Sequence, residues 1–248
     1  MKKLIVLFAF TFSFLQAYSQ WSIELESGLA FQSYNDVRIP NETGNERGTE
    51  FSFTEDFEIQ GPVIPLRLNL SYTFAERNHL SALYAPLEVN YEGIVPVGGI
   101  KFQDSEFAEG EAIDGFYKFN SYRLTYRRDL LLRDNWTLAL GFTAKIRDAR
   151  IELETDMKSD RKDDLGFVPL LNIHAAYEYK DIKAYIKGDA LAGGPGRAFD
   201  FFAGINTPLT DNLQLKGGYR IIEGGADVSE VYNFTLLNFA SIGLILTY

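Results

Sequence analysis

From Trp21 to the C-terminus, hydrophobic and polar residues alternate with a period of two, which is typical of β-strands. About ten segments carry this alternation, and turn-rich or polar stretches separate them. An even number of strands is what a single-chain barrel with both ends on one side requires. The pattern predicts an all-β fold, a transmembrane antiparallel up-and-down β-barrel of about ten strands, within a range of about eight to twelve.

The alternation also assigns each residue to one of two faces. In the fifth segment, Trp136, Leu138 and Leu140 share a face that we expect to contact lipid, and Thr137 lies on the opposite face. In the third segment we assign the apolar set to lipid and Glu88, Asn90 and Glu92 to the lumen. That apolar set is Leu83, Ala85, Leu87, Val89 and Tyr91.

The connections alternate in length. Short turns are predicted at residues 75–78, 180–181 and 208–211, and long polar loops at residues 34–61, 93–114 and 149–165. Outer-membrane barrels have short periplasmic turns and longer outer loops. The short turns are therefore assigned to the periplasm.

Aromatic residues provide an independent indication of a membrane. With the turns so assigned, one group falls at the periplasmic strand ends on the apolar face, as a belt of amphipathic rings at an interface does. This predicted periplasmic belt consists of Trp21, Tyr72, Phe74, Tyr126, Trp136, Tyr177, Tyr179 and Tyr248. A secreted soluble sandwich or lipocalin-like barrel is the alternative, but it gives no reason for aromatics to gather at strand ends.

The polar face would line the lumen with charges of both signs. Opposite charges should pair there because an unpaired charge in a confined space is costly. A salt-bridged plug is the first interpretation, and a narrow polar pore lined by the same residues is the second. If residues 180–181 form a two-residue turn, Glu178 faces Lys183 and His174 faces Lys187. The predicted lumen charges are Glu24, Glu26, Arg67, Glu88, Glu92, Arg123, Lys145, Arg147, Glu178, Lys183, Lys187, Asp189, Lys216 and Arg220.

The N-terminal segment has the layout of a secretory signal peptide. Lys2 and Lys3 precede an apolar stretch at residues 4–15, and small residues at 17–19 leave Gln20 as the predicted mature N-terminus. The predicted organisation is a signal peptide at residues 1–19 and a barrel domain at residues 20–248.

Composition narrows the functional classes. Loss of Lys2 and Lys3 would take the formal charge from −10 to −12, and an acidic surface disfavours nucleic acid as a partner. The chain has no cysteine, which excludes both a disulfide scaffold and a thiol nucleophile.

The last eight residues, Ser241 to Tyr248, resemble the C-terminal signature of outer-membrane β-barrels of Gram-negative bacteria. In that class, alternate hydrophobic residues and a terminal aromatic are recognised by the barrel assembly machinery. The resemblance implies the cell outer membrane as location, with its lipid and the assembly machinery as partners. It identifies no subfamily and implies no functional residue.

Enzymatic chemistry has weak support in the sequence. His79 and Ser81 share a face and Glu92 lies farther along the same strand, which resembles the His-x-Ser pair and Glu of lipid A deacylases, although Glu92 has the wrong parity to share that face. The resemblance fails on position, because His79 is predicted at the periplasmic end and lipid A lies in the outer leaflet. The ten-stranded omptin proteases are a further comparison, but no histidine is predicted at the outer end. We therefore assign no catalytic residue, no cofactor and no metal ligand, and we expect a non-enzymatic protein.

Two prolines interrupt the predicted strands. Pro65 and Pro86 each remove a backbone donor, and a simple hairpin register would place Pro65 opposite Glu88 and Pro86 opposite Arg67. The pair is either a lateral seam open to an apolar ligand or two bulges above the membrane.

The predicted loops are acidic, and Ca²⁺ is bound by oxygen clusters of this kind. No spacing matches a defined calcium loop, so a solvated acidic rim is the first interpretation. The predicted function is thus a structural or surface-interaction barrel with a plugged or narrow lumen. The alternative is a small passive channel or transporter for polar or apolar solutes, and a lipid-modifying or proteolytic barrel is the third hypothesis.

Overall fold

The computed structural model describes residues 20–42, 44, 46–194 and 196–248, and the predicted signal peptide lies outside them. Within these ranges, no helix is long and apolar enough to cross a membrane. The strands are β1 (Gln20–Arg38), β2 (Phe51–Ser52), β3 (Phe57–Ile59), β4 (Arg67–Phe74), β5 (Asn78–Ala85), β6 (Glu88–Ile94), β7 (Ile100–Phe102), β8 (Ser105–Phe107), β9 (Ala112–Arg133), β10 (Trp136–Thr155), β11 (Lys158–Tyr179), β12 (Ile182–Gly193), β13 (Gly196–Pro208), β14 (Leu213–Val228) and β15 (Val231–Thr247).

Ten of the described strands form a closed antiparallel ring, which confirms the predicted fold. The first and last strands close it: Trp21 N donates to Tyr248 O at 3.1 Å, and Tyr248 N donates to Trp21 O at 2.8 Å. Closure satisfies backbone groups that an open sheet would leave exposed at its edges. The order around the ring is β1, β4, β5, β9, β10, β11, β12, β13, β14 and β15.

Close packing of the wall explains one glycine directly. A Cβ added at Gly28 of β1 would lie 1.9 Å from the carbonyl oxygen of Ala240 in β15. The closing seam between the first and last strands therefore requires a residue without a side chain at this position.

Residues 149–165, predicted as a long loop, are almost entirely strand, so that part of the prediction is wrong. β10 and β11 continue as a paired hairpin to Thr155↔Lys158 and take up all of residues 149–165 except the tight turn. β1 runs on to Arg38, and β6 to β9 occupy much of residues 88–114. The sequence looks loop-like there because many outward positions are charged, while inward residues such as Leu153 are buried.

The third predicted strand is assigned to the wrong faces. The β4–β5 turn is one residue shorter than predicted. It consists of residues 75–77, with Ala75 and Glu76 at φ 47° and 62°, and Asn78 already pairs with Phe74. A one-residue change of register moves every side chain of a strand to the other face. Leu80 and Tyr84 point outward, where they are 40% and 41% exposed. The residues that instead face inward are Leu83, Ala85, Leu87, Val89 and Tyr91.

The ring has an apolar outer band of limited height. On β10 the outward apolar residues run from Trp136 to Ile146, which for tilted strands is about 25 Å, the height of the apolar band of outer-membrane barrels. Above Ile146, the outward residues turn polar at Asp148 and Arg150. We call the ring within this band the barrel.

Above the barrel the polarity is reversed. A core of buried apolar residues fills the space enclosed by the upper strands, with Phe53, Tyr91 and Leu153 fully buried. The β7–β8 hairpin packs on this core through Phe102 and Phe107. We call this part, formed by the described residues of 34–42, 44, 46–63, 87–119 and 148–163, the cap.

Candidate functional site

The lumen of the barrel contains an ion-pair network at mid-height. Asp200 lies at its centre: Oδ1 accepts from Arg220 Nη1 at 2.5 Å, and Oδ2 accepts from Arg67 Nη2 at 3.0 Å. Arg123 Nη2 also lies 2.7 Å from Oδ2. All four side chains are less than 10% exposed, so one carboxylate joins three guanidinium groups from three strands.

A second carboxylate extends the network towards β1. Glu26 accepts from Arg220 Nε and Nη2, both at 2.8 Å, and from Lys216 Nζ at 2.5 Å. Glu24 lies 2.5 Å from Lys216 Nζ and 2.8 Å from Lys187 Nζ. Lys216 is fully buried between the two glutamates.

The third arm of the network ends on β12. Asp189 Oδ2 accepts from Arg123 Nη1 at 2.7 Å, and its Oδ1 accepts from Thr143 and Asn172 at 2.6 and 2.7 Å. With Glu24, Glu26 and Asp200 it makes four carboxylates, against five cations in this described network. Pairing at this density stabilises charges that would be costly to bury alone.

The structure places most predicted lumen charges inside the barrel. They are Glu24, Glu26, Arg67, Arg123, Lys145, Arg147, Glu178, Lys183, Lys187, Asp189, Lys216 and Arg220. The predicted register at the 180–181 turn is confirmed: Glu178 faces Lys183 with an ion pair of 2.8 Å, and His174 faces Lys187.

The predicted lumen position of Glu88 and Glu92 is wrong. Both are exposed on the outer face of the cap, and Glu88 lies opposite Lys118 of β9. They lie outside because the β4–β5 register differs by one residue from the predicted one, which exchanges the two faces. The alternate residues Val89 and Tyr91 point inward instead and pack in the core of the cap. Asp200 is missing from the predicted lumen charges, although alternation places its side chain on the face opposite to that of Phe199 and Phe201.

One cavity lies on each side of the ion-pair network. The lower one, about 540 Å³, opens towards the 180–181 turn and is lined by polar side chains such as Ser71, Thr125 and Lys183. The upper one, about 330 Å³, is lined by Lys145, Leu170 and Ala198 among others. Arg123 and Asp200 line both, so the ion-pair network is the partition between them.

An apolar layer lies beside the upper cavity. Leu87 packs with Ile222, Leu237 and Phe239, which joins the β5–β6 junction to β14 and β15 across the lumen. The cap core follows above it. Along the lumen, the ion-pair network is therefore followed by a layer of apolar side chains.

The predicted aromatic belt lies on the outer face at the strand ends. Trp21 packs against Tyr72 with ring centroids 4.6 Å apart, and Trp136 packs against Tyr177 at 4.8 Å. Tyr248 is 68% exposed at the closing seam. That these ends lie in the periplasm stays a prediction.

Both ring nitrogens of His79 lie within hydrogen-bond distance of a side chain. His79 Nε2 lies 2.9 Å from Asp129 Oδ2, and Nδ1 lies 3.0 Å from Thr73 Oγ1. Both ring nitrogens are thus occupied, and neither is left to activate Ser81. His174 is inward beside Tyr185, with ring centroids 6.0 Å apart.

The predicted proline register is wrong. The β4–β5 ladder ends at Leu68↔Tyr84, so Pro65 and Pro86 lie beyond it rather than opposite Glu88 and Arg67. Pro86 lies between β5 and β6, and the carbonyl of Pro65 accepts from Ser27 Oγ at 2.9 Å. Prolines at a break in the ladder remove no donor from it.

The outer surface of the cap carries an acidic groove with apolar residues such as Phe57 and Ile113 in its lining. Neither lysine nor arginine is among the described residues that line it. Its carboxylates are Glu55, Asp56, Glu58, Glu92, Asp114, Glu154 and Asp156. In the described part of the chain, no group of three or more potential ligands is arranged to hold a metal ion.

Two electrostatic effects distinguish the surface of the cap from its core. On the β10–β11 hairpin, Arg150 Nε donates to Asp163 Oδ1 at 2.6 Å, and this hydrogen bond lowers the pKa of Asp163. In the core, burial raises the pKa of the Tyr91 and Tyr117 hydroxyls, because their anionic forms would lose water.

Comparisons with known proteins identify the fold. Neither a protein-family model nor a curated protein matches the chain. Among solved structures, the outer membrane protease OmpT from Escherichia coli matches with a TM-score of 0.54 at 9% identity, over 92% of this chain and 97% of that chain.

Two further matches have lower scores. The attachment invasion locus protein Ail of Yersinia pestis has a TM-score of 0.41 at 10% identity, over 93% of this chain and 99% of that one. The β domain of the Bordetella autotransporter BrkA has a TM-score of 0.43 at 10% identity, over 93% and 99%. The closed ring, its apolar band and the match to OmpT together show that the chain has the fold of the small outer-membrane β-barrel proteins of Gram-negative bacteria, with no subfamily identified.

Proposed function

We propose that the protein is a non-enzymatic outer-membrane barrel with a closed lumen, which presents its cap as a surface for interaction outside the cell. The fold supports localisation in the outer membrane. The observation that carries the proposal is the double closure of the lumen by the Asp200 network and by the apolar layer of Leu87 and Phe239.

A closed lumen has a direct electrical consequence. Ions need a continuous water path, and the partition formed by Arg123 and Asp200 separates the two cavities. The purified protein in planar bilayers should show no steady single-channel conductance, while a general porin treated in the same way should conduct. Steady conductance of small ions by this protein would overturn the closed-lumen function.

A small passive channel is the second candidate. The existence of cavities on both sides of one layer of ion pairs favours it, because displacement of a few side chains would connect them. The same conductance measurement decides between the two functions.

A surface role is supported by the exterior of the cap. Its groove presents carboxylates without lysine or arginine in the described lining, and such a surface favours cationic partners over anionic ones. Binding of the intact barrel in nanodiscs to a lysine-rich peptide should weaken as salt rises, and Glu58→Gln with Glu92→Gln should weaken it further. Equal binding of a peptide with reversed charge would contradict this role.

The absence of enzymatic activity is part of the proposal. His79 has no ring nitrogen left for Ser81, the residue of the His-x-Ser pair, which supports it. Lipid A extracted from cells with and without the protein should have the same mass profile. A change in acylation that is lost in His79→Ala would instead establish a lipid-modifying enzyme.

Export by a cleaved signal peptide completes the proposal. N-terminal sequencing of the protein purified from outer membranes should begin at Gln20. A mature protein that stays in solution without detergent would contradict the membrane assignment.

A further inference from the structure

The upper cavity of the barrel contains a buried lysine without a carboxylate partner. Lys145 of β10 is 3% exposed and lines this cavity. It forms no ion pair with any described carboxylate within 4.0 Å, and its Nζ lies 4.5 Å from the ring centroid of Phe119. An ammonium group in such a place is costly unless an anion accompanies it.

A second unpaired donor lies two residues farther along the same face of β10. Arg147 uses Nη2 for an ion pair with Asp164, but its buried Nε has no acceptor in the described structure. Because alternate residues of a strand share a face, both donors point to the same side of the wall. The other charges in this lining are paired: Arg123 with Asp200, and Arg197 with Glu223.

The rest of the cavity wall is largely apolar. Phe119, Leu170, Ala198 and Ile222 line it, from β9, β11, β13 and β14. A volume of about 330 Å³ is at the lower end of the range for small-molecule sites. A cationic end and an apolar wall together suit an amphiphilic anion.

The wall has a gap at the same height. β11 and β12 pair only as far as Leu171↔Ala190, whereas β11 continues beside β10 to Lys158. Pro169, which has no backbone donor, comes two residues beyond the last pair with β12. Phe167 on one edge of the gap and Leu191 on the other both line the cavity and are 64% and 40% exposed.

We propose that the upper cavity is a binding site for a fatty carboxylate, which enters through the gap between β11 and β12. Its carboxylate accepts hydrogen bonds from Lys145 Nζ and Arg147 Nε, and its chain lies against Leu170, Ala198 and Ile222. The proposal rests on the barrel lying in the outer membrane, where amphiphiles reach the gap from the lipid.

The test uses radiolabelled decanoate and the intact protein in nanodiscs, with empty nanodiscs subtracted. Saturable binding is expected for the wild type, and Lys145→Met should weaken it about tenfold or more, because a charge-assisted hydrogen bond is lost. Lys183→Met, which removes a lysine of the lower cavity, is the matched control and should bind like the wild type. Ala198→Trp, which fills the cavity, should abolish binding.

The ligand itself provides a second comparison. Decanol has the same chain without the charge, and acetate has the charge without the chain, so neither should compete with decanoate at equal concentration. Equal competition by decanol, or unchanged decanoate binding in both Lys145→Met and Ala198→Trp, would overturn the site. Bilayer conductance is measured without decanoate, so a failure of the closed-lumen function is recognised separately.

Discussion

The barrel and the cap are built from the same strands but have opposite interiors. β9 and β10 run through both: in the barrel they place Arg123 and Thr143 inside, and in the cap they place Tyr117 and Leu153 inside. The exterior changes in the opposite sense, from Leu124 to Lys118 along β9. Each part thus keeps its apolar side chains away from water, in the barrel by facing lipid and in the cap by facing inward.

This reversal of polarity implies that the barrel and the cap are stabilised by different interactions. Outward leucines of the barrel gain little from contact with protein, so the barrel depends on its closed ladder and on the Asp200 network. The cap depends on burial of rings such as Phe53 and Tyr91, as a water-soluble domain does. Substitutions should therefore affect the two parts differently.

The largest effect is expected for Arg220→Met in the barrel. The substitution leaves Glu26 and Asp200 buried with fewer partners and should lower the free energy of unfolding by about 4 kcal/mol. Urea titration in detergent, followed by Trp21 and Trp136 fluorescence, measures it. Lys183→Met is the control and should change little, because its ion pair with Glu178 is partly exposed. An equal loss in both variants would contradict a dominant role of the network.

Phe53→Ala should have the next largest effect, confined to the cap. Phe53 is fully buried and stacks on Tyr91 at 4.4 Å between ring centroids, so its truncation should cost about 3 kcal/mol. Hydrogen exchange should increase in β2, β3 and β6 and stay slow in β12 to β14. Uniform acceleration over the whole ring would show that cap and barrel do not differ in this way.

A charge on the outer face should distinguish the two exteriors. Leu140→Lys places an ammonium group near the middle of the apolar band of β10 and should cost about 2–3 kcal/mol. Asn90→Lys on the cap is the matched variant and should change the free energy of unfolding by less than about 0.5 kcal/mol. Equal costs at the two positions, measured by urea titration in lipid vesicles, would contradict the boundary between band and cap.

Alkaline pH should loosen the cap before the barrel, with the smallest effect of the four. Burial raises the pKa of Tyr91 and Tyr117, so their neutral forms stabilise the fold below the unfolded pKa of about 10, and this contribution is lost as pH rises through the folded values. Hydrogen exchange corrected for its intrinsic pH dependence should show β6 opening first above about pH 10. Tyr91→Phe should reduce the change, and earlier opening of β13 would contradict the assignment.

Much of the barrel could be predicted from the sequence because its outward face is apolar and its inward face polar over ten segments. The predicted faces of β10 to β15 agree with the structure, and so does the 180–181 turn. The network partners could not be predicted, since alternation gives the face of Asp200 but not the three arginines that reach it from other strands.

The cap could not be predicted for a related reason. Alternation separates two faces but does not state which of them faces inward, and the prediction assigns the apolar face to lipid throughout. For Val89 and Tyr91 that assumption fails, because water rather than lipid surrounds the wall at their height. The neighbouring acidic residues Glu88 and Glu92 carry the signal that could have shown this, since two carboxylates on one short strand are better placed in solvent.

The reversal of polarity between barrel and cap is tested most directly by site-directed spin labelling. The chain has no cysteine, so Tyr84→Cys and Glu88→Cys each provide a single labelling site on one outward face. In lipid vesicles, the nitroxide at residue 84 should be accessible to oxygen and shielded from a water-soluble nickel chelate. The nitroxide at residue 88 should be mobile and accessible to the nickel chelate. Shielding of residue 88 from the chelate, as expected for a side chain in the lumen or in lipid, would contradict the account.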